Sequence, residues 1–436
     1  MAKTRVTRRA FLKRASVVAG GAVAFPYIVP SSALGADGQA APGNRITMGC
    51  IGLGGQGSGN MNAFMRTPGV EVVAVCDVDA GHRERARNAT GLPPEAAYND
   101  FREVIARDDV DAISIGTPDH WHAVICIQAA QAGKDIFCEK PLSLTIADGR
   151  AICNAVHRYD RVLQTGTWRR SRSACRYACE LVRNGRIGTL KTIRTHVPKG
   201  YAIRHGDYGG IQQAMPVPEG LDYDLWLGPA PWAPYTPGRV HFNFRWLLDY
   251  SEGYISDWGA HYYDVAQWGN GTDATGPLEI EGTAEYPKDG LYDAAVDHHI
   301  EFRYANGVTL ISETSAGEQG RNWGAHFDGT EGHIYVENSA VIAEPESVAR
   351  SFIGPNEIHL YDSRNHHQNF IDCVKTRQQT TAPAEVGHRA ATICHLGSIA
   401  TLLGRKLTWD PDAERFVADD EANQMLARSM RSPWRV

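Results

Sequence analysis

The stretch Gly52-Leu53-Gly54-Gly55-Gln56-Gly57 most narrows what this chain can fold into. A buried-strand pattern over residues 45–51 runs into it, and a helical pattern leaves it over 58–66. Glycines at the first, third and sixth positions of such a turn allow a tight bend, close approach of a pyrophosphate, and packing of the helix on the strand. The helix would aim its N-terminal amides and dipole at the phosphates. A glycine-rich turn is weak evidence alone. Here a second strand over 70–76 ends in Asp77, where a carboxylate accepts hydrogen bonds from both ribose hydroxyls and repels a 2'-phosphate. NAD is therefore expected over NADP, although Arg83 and Arg85 stand close by and an Asp capping the next helix is a competing reading.

Alternation of helix and strand continues, as in a doubly wound α/β sheet. Helices are expected over 83–89, 100–106 and 121–132, and strands over 110–115 and 134–138. The strand over 110–115 ends in Thr117-Pro118-Asp119-His120-Trp121-His122, at the edge where ligands bind in such sheets, so Thr117 and Pro118 are expected at the nicotinamide ribose. His120 and His122 have no third ligand nearby, and no metal is expected there. The strand over 134–138 ends in Cys138-Glu139-Lys140-Pro141, where stiff backbone would aim the Lys140 ammonium; a solvated surface lysine is the bland reading. The expected cofactor-binding set is Gly52, Gly54, Gly55, Gln56, Gly57, Asp77, Thr117, Pro118, His122, Glu139 and Lys140.

These residues, with Asp257-Trp258-Gly259-Ala260-His261-Tyr262-Tyr263-Asp264, resemble the glucose-fructose oxidoreductase, inositol dehydrogenase and rhizopine-catabolism (Gfo/Idh/MocA) family of oxidoreductases. Stretches at Thr165 to Arg170, Asn365-His366-His367 and His388-Arg389 also look familiar, so the likeness covers nearly the whole chain after residue 44. It implies catalytic roles for Lys140, Asp257 and His261, and a C-terminal domain with a large, mainly antiparallel sheet whose exposed face commonly mediates oligomerisation. A homodimer or homotetramer is the corresponding expectation.

The chemistry can also be argued from the side chains. Oxidising a sugar alcohol needs a base for the hydroxyl proton while hydride leaves the same carbon. His261 has a suitable unperturbed pKa, and on one helix it would lie a turn from Asp257 on the same face. Asp257 would then orient the imidazole or bind a neighbouring hydroxyl, and Lys140 would stabilise the developing alkoxide. The competing reading is a buried His–Asp pair on a core helix. Residues 222–268 are rich in Tyr, Trp and Phe interleaved with Asp, His and Arg, which suits carbohydrate but also builds cores and interfaces. The expected substrate contacts are Lys140, Trp168, Arg169, Arg170, Asp257, His261 and Tyr262, with Tyr201 and His205 at the rim.

At 436 residues the chain is too long for one core of usual size. The expected division is an N-terminal segment to residue 36, a flexible arm at 37–44, a Rossmann domain at 45–165 and a C-terminal domain at 166–436. Strands are expected over 295–304, 307–313, 323–329 and 332–336, with a hairpin turn at Gly329-Thr330-Glu331-Gly332. His298 and His299 would then face opposite sides of the sheet. Helices over 366–377 and 387–403 are expected to pack back on the first domain.

A net charge of -6 without a long basic block makes nucleic acid an unlikely partner. Thr7-Arg8-Arg9-Ala10-Phe11-Leu12-Lys13 and the moderately apolar run after it resemble a twin-arginine export signal, cleaved after Ala33 or Ala36. That run is broken by Pro26 and Pro30 and makes a poor permanent span. Proteins on this route fold before export, so few or no disulfides are expected among the nine cysteines. An exported dinucleotide enzyme must carry its cofactor out bound. That expectation suits an NAD-dependent sugar oxidoreductase or an NAD-dependent glycosidase working by transient oxidation, elimination and re-reduction; a non-catalytic sugar binder is the alternative of another class.

Overall fold

The computed structural model describes residues 45–200, 210–315, 323–337 and 339–436. The twin-arginine segment, the arm at 37–44, Tyr201 and His205 lie outside the described residues.

Six strands, β1 (Ile46–Ile51), β2 (Val70–Cys76), β3 (Ala97–Tyr98), β4 (Ala112–Ile115), β5 (Asp135–Cys138) and β6 (Leu163–Thr165), form a sheet in the order β3-β2-β1-β4-β5-β6. Every pairing in it is parallel. Crossover helices cover both faces of such a sheet, which is why β4 and β5 are buried at every residue. Strand order reverses between β1 and β4. Connections diverge there and open a crevice at the carboxyl ends of the strands.

The helices Gly55–Met65, Ala80–Thr90 and Asp119–Gln131 each start two or three residues before the expected point. Apolar periodicity marks the packed middle of a helix, whereas capping sets its start: the Asp79 side chain accepts from the His82 amide at 2.8 Å.

The second sheet has nine strands: β7 (Leu190–Pro198), β8 (Glu279–Glu285), β9 (Asp297–Arg303), β10 (Thr309–Ser315), β11 (Gly324–Gly329), β12 (His333–Val336), β13 (Val341–Glu344), β14 (Leu407–Asp410) and β15 (Arg415–Phe416). They lie in the order β13-β12-β11-β7-β10-β9-β8-β14-β15, antiparallel except for the β7–β10 pair. Strands β9 to β12 fall where expected. The turn between β11 and β12 closes with the Gly329 amide donating to the Gly332 carbonyl at 2.9 Å. His298 is buried and its neighbour His299 exposed, as strand alternation requires. One face of the sheet is covered by helices Ser173–Arg183, Gly259–Asn270 and Ala384–Leu403, with Tyr263, Trp268, Phe302, Phe327 and Leu396 in the shared core.

The late helices return to the first sheet. Phe370 and Ile371, from helix His366–Thr376, pack with Met48, Phe64 and Phe137. Burying each stabilises by roughly 1.5–3 kcal/mol. Arg150 on helix Ile146–Arg158 reaches Glu385 at 2.8 Å and Glu414 at 2.6 Å, and His388 meets Glu414 at 2.8 Å. All nine cysteines are buried and unpaired, each behaving as a small apolar side chain.

Candidate active site

The ends of β1, β2, β4 and β5, together with segment His241–Trp246, border a cleft of about 740 Å3. One wall of it is glycine backbone. Gly52 has φ +76°, and a Cβ there would stand 2.5 Å from the Thr117 nitrogen. A Cβ at Gly57 would stand 1.7 Å from the Gly52 carbonyl oxygen. No side chain fits at either position, so β1, the following helix and the β4 turn approach to backbone contact, and the amides at the start of helix Gly55–Met65 are left facing the cleft.

Asp77 is pinned at the end of β2. One carboxylate oxygen accepts from the Leu53 amide at 2.6 Å and the other from the Asp79 amide at 2.8 Å. Arg83 turns its guanidinium onto the Asp77 carbonyl and the Asn99 side chain, and neither it nor exposed Arg85 lines the cleft. A carboxylate without a facing arginine suits a ribose diol rather than a 2'-phosphate. The Thr117 hydroxyl is buried with no protein partner and borders the same space. Glu139 accepts from Asn60 at 2.8 Å and Gln56 at 3.2 Å; its burial raises the carboxyl, against the pull of Lys140 and Asn60.

Opposite this wall, the Lys140 ammonium donates to the Asp257 carboxylate at 2.7 Å and to the Asp257 carbonyl at 2.8 Å. Arg245 lies 3.2 Å from the same carboxylate oxygen. Burial alone would raise Asp257, but Lys140 and Arg245 outweigh it and hold the carboxyl at about 2. Two cations thus share one carboxylate, leaving one positive charge over.

His261 lines the cleft beside them, with Trp168 edge-on at 5.7 Å. Burial, then the charges of Arg169 and Lys140, push its imidazole well below the ordinary histidine value. It is neutral near pH 7, and its Nδ1 has no protein partner.

The chain does not carry Asp257 and His261 on a single helix. Helix Tyr254–Asp257 ends there, a second runs Gly259–Asn270, and Trp258 joins them. Asp257 orients Lys140, and no hydrogen bond joins it to His261 among the described residues. Arg170 is buried away from the cleft on Asp264 at 2.8 Å and Asp273 at 2.7 Å. Tyr262 accepts from Arg169 at 3.1 Å beneath that guanidinium. Both corrections have one cause: successive residues of a helical turn point in different directions, so Arg169 and His261 facing the cleft turn Arg170 and Tyr262 inward. His122 is likewise behind the wall, its ring nitrogens 2.8 Å from the Pro141 carbonyl and 3.0 Å from the Thr117 carbonyl. It ties the two loops together. The other expected residues line the cleft, apart from Gly57, which packs directly beneath Gly52.

Several cleft residues escaped the sequence reading, Arg245 and Asp119 at the Lys140 end and Asp79, His82 and His241 at the Asp77 end among them. Arg245 carried no spacing signal. Asp119 follows Thr117-Pro118 directly; Ser251 donates to it at 2.6 Å, and burial raises its carboxyl to about 7 despite Ser251, Arg245 and Lys140. An acid in the first turn of a helix at the sheet's ligand edge was the available clue.

Two family descriptions match the chain. "Oxidoreductase family, NAD-binding Rossmann fold" matches residues 46–167, and "Oxidoreductase family, C-terminal alpha/beta domain" matches 172–436. The chain is 24% identical over 372 residues to the uncharacterized oxidoreductase YrbE of Bacillus subtilis, covering 83% of this chain and 95% of that protein. It is 31% identical over 172 residues to a glycosyl hydrolase family 109 protein of Shewanella pealeana, covering 35% of this chain and 38% of that one. A levoglucosan dehydrogenase solved with NADH and levoglucosan superposes with a TM-score of 0.61 at 18% identity, over 84% of this chain and 99% of that one. Glycine wall and antiparallel second sheet therefore belong together: the chain is a member of the Gfo/Idh/MocA oxidoreductases, with an NAD-binding Rossmann domain followed by that family's C-terminal domain.

Proposed function

We propose that this protein oxidises or reduces a hydroxyl or carbonyl carbon of a sugar or sugar derivative, using NAD that stays bound. The observation that carries the reading is the Lys140–Asp257 ion pair at 2.7 Å, lining with neutral His261 the cleft walled by Gly52 and Asp77. NAD, when bound along Gly52, Asp77 and Thr117, supplies the hydride acceptor or donor. His261 takes the hydroxyl proton on an unpartnered ring nitrogen, and its low basicity keeps that nitrogen free at neutral pH. Lys140 faces the developing alkoxide, with the surplus charge of the Lys140–Asp257–Arg245 group stabilising it. Trp168 and Trp258 line the same cleft and add apolar ring surface suited to the C–H groups of a sugar.

Export by the twin-arginine route belongs to the same proposal, because a protein that leaves with its dinucleotide must hold it tightly. Purified protein is expected to retain NAD(H) through dialysis and to turn over a donor sugar without added cofactor once a second sugar is supplied as acceptor, which takes the hydride back and regenerates NAD. A requirement for millimolar free NAD would overturn the bound-cofactor reading.

The match to a glycosyl hydrolase family 109 protein favours a second reading, glycoside cleavage through transient oxidation, elimination and re-reduction. The same three side chains would serve it. Incubating the holoprotein with a panel of free sugars and glycosides separates the two: net oxidation leaves reduced cofactor, whereas cleavage releases aglycone with the cofactor unchanged. Assembly into a homodimer or homotetramer through the open, charged face of the nine-stranded sheet completes the proposal.

A further inference from the structure

Asp79, His82 and His241 stand together at the Asp77 end of the cleft, and the reaction proposed above uses none of them. Each can offer one ligand atom, and the three atoms lie within 4.8 Å of one another. Asp79 uses one carboxylate oxygen to cap helix Ala80–Thr90, which leaves the other turned towards His241 Nε2 at 3.8 Å. The His82 and His241 rings are 5.2 Å apart. His82 Nδ1 is 3.4 Å from the Asp77 carboxylate, an arrangement that places the proton on Nδ1 and the lone pair on Nε2. Metal-ligating histidines are held in this way, by a carboxylate on the nitrogen that does not ligate.

The cluster joins two parts of the fold. Asp79 and His82 follow β2 in the Rossmann domain, whereas His241 heads segment His241–Trp246 of the C-terminal domain. That segment borders the cleft, and its other end places Arg245 on Asp257. His241 sits at φ +55°, in the left-handed region that a residue with a side chain seldom adopts.

We propose that Asp79, His82 and His241 bind a Zn2+ ion that latches the His241–Trp246 segment across the adenosine end of the dinucleotide groove. Two imidazoles and one carboxylate suit a borderline-soft ion such as Zn2+, and suit poorly the all-oxygen preference of Mg2+ or Ca2+. A metal drawing His241 to the Rossmann domain closes the groove at the end opposite Lys140. Cofactor retention then has a device separate from the glycine wall. The latch rests on NAD occupying this groove; the metal site does not.

The test is a titration of chelator-treated, cofactor-stripped protein with Zn2+ by calorimetry, repeated with Co2+ to read its visible spectrum. One ion per chain with a tetrahedral Co2+ signature is expected. His241→Ala and His82→Gln should each weaken binding by about 100-fold or more, the upper end of what loss of even an outer partner costs. Unfolding temperatures measured in chelator establish that both variants fold. Zn2+ should slow NAD release by about 10-fold, and NAD should tighten Zn2+ by the same factor, because coupling between two bound ligands is reciprocal. Absence of stoichiometric binding, or binding unchanged in both variants, overturns the site. Stoichiometric binding that leaves NAD release unaltered overturns the latch. Because the metal titration needs no sugar and no turnover, it can fail without touching the proposed reaction, and the reverse also holds.

Discussion

The two ends of the cleft handle charge in opposite ways. At the Lys140 end, two cations and a carboxylate are packed against one another, with Asp257 held at about 2 and His261 pushed well below its ordinary value. At the Asp77 end, each oxygen of the acid accepts one backbone amide, while His82, Asp79 and His241 remain partly open to solvent. Desolvated charges interact strongly and set protonation states. Half-exposed ones interact weakly but leave room to admit and release a ligand. In the proposed reaction one end does the chemistry and the other grips the cofactor.

The strongest way to break this contrast is Lys140→Ala. Turnover should fall ~10²- to 10⁴-fold or more while bound NAD is retained, read together as rate and cofactor absorbance. Loss of cofactor with full residual turnover would reverse the assignment of the two ends. His261→Gln should lower kcat over a similar ~10²- to 10⁴-fold range. In the wild type, a base held below its ordinary value of 6.5 is unprotonated through neutrality, so kcat/KM should be flat near pH 7 and decline only on the acid side. A rate that starts to fall above pH 7 on acidification would show a different base.

Asp77→Ala acts at the other end. NAD affinity should weaken about 10- to 100-fold, the loss of hydrogen bonds to a charged acceptor at 1–3 kcal/mol, with kcat at saturating NAD close to the wild type. A lowered kcat at saturation would mean that the ends are not separable.

The smallest expected effect concerns Asp119. Its folded carboxyl is raised to about 7 from 3.8, so the native state holds the proton more tightly than the unfolded chain. Stability from this group is complete below about pH 4 and declines as pH rises towards 7. Asp119→Asn should remove that part of the slope in unfolding temperature against pH; an unchanged slope would place the carboxyl in water.

Much of the Rossmann half was legible in the sequence because its signals are local. The glycine turn, Asp77 and Thr117 lie at strand ends whose apolar runs read directly. The second domain was legible only in its hairpins. β14 and β15 are too short for periodicity to register, and β13 borders the sheet with little burial. Arg169 and Tyr262 were named as substrate contacts together with Arg170, because spacing shows which stretch nears a site but not which neighbour turns inward.

What the sequence determined by itself was the fold type and the cofactor class, and it singled out Lys140, Asp257 and His261 as candidates that line the cleft, all carried by patterns within a few residues. Tertiary structure decided their relations: that Asp257 holds Lys140 rather than His261, that Arg245 adds the surplus charge, that burial raises the Asp119 carboxyl to about 7, and that His241 meets Asp79 from a distant segment. Those relations depend on burial and on contacts between separate elements, most of them joining residues more than a hundred positions apart, and protonation follows from burial and charge, which no local pattern encodes.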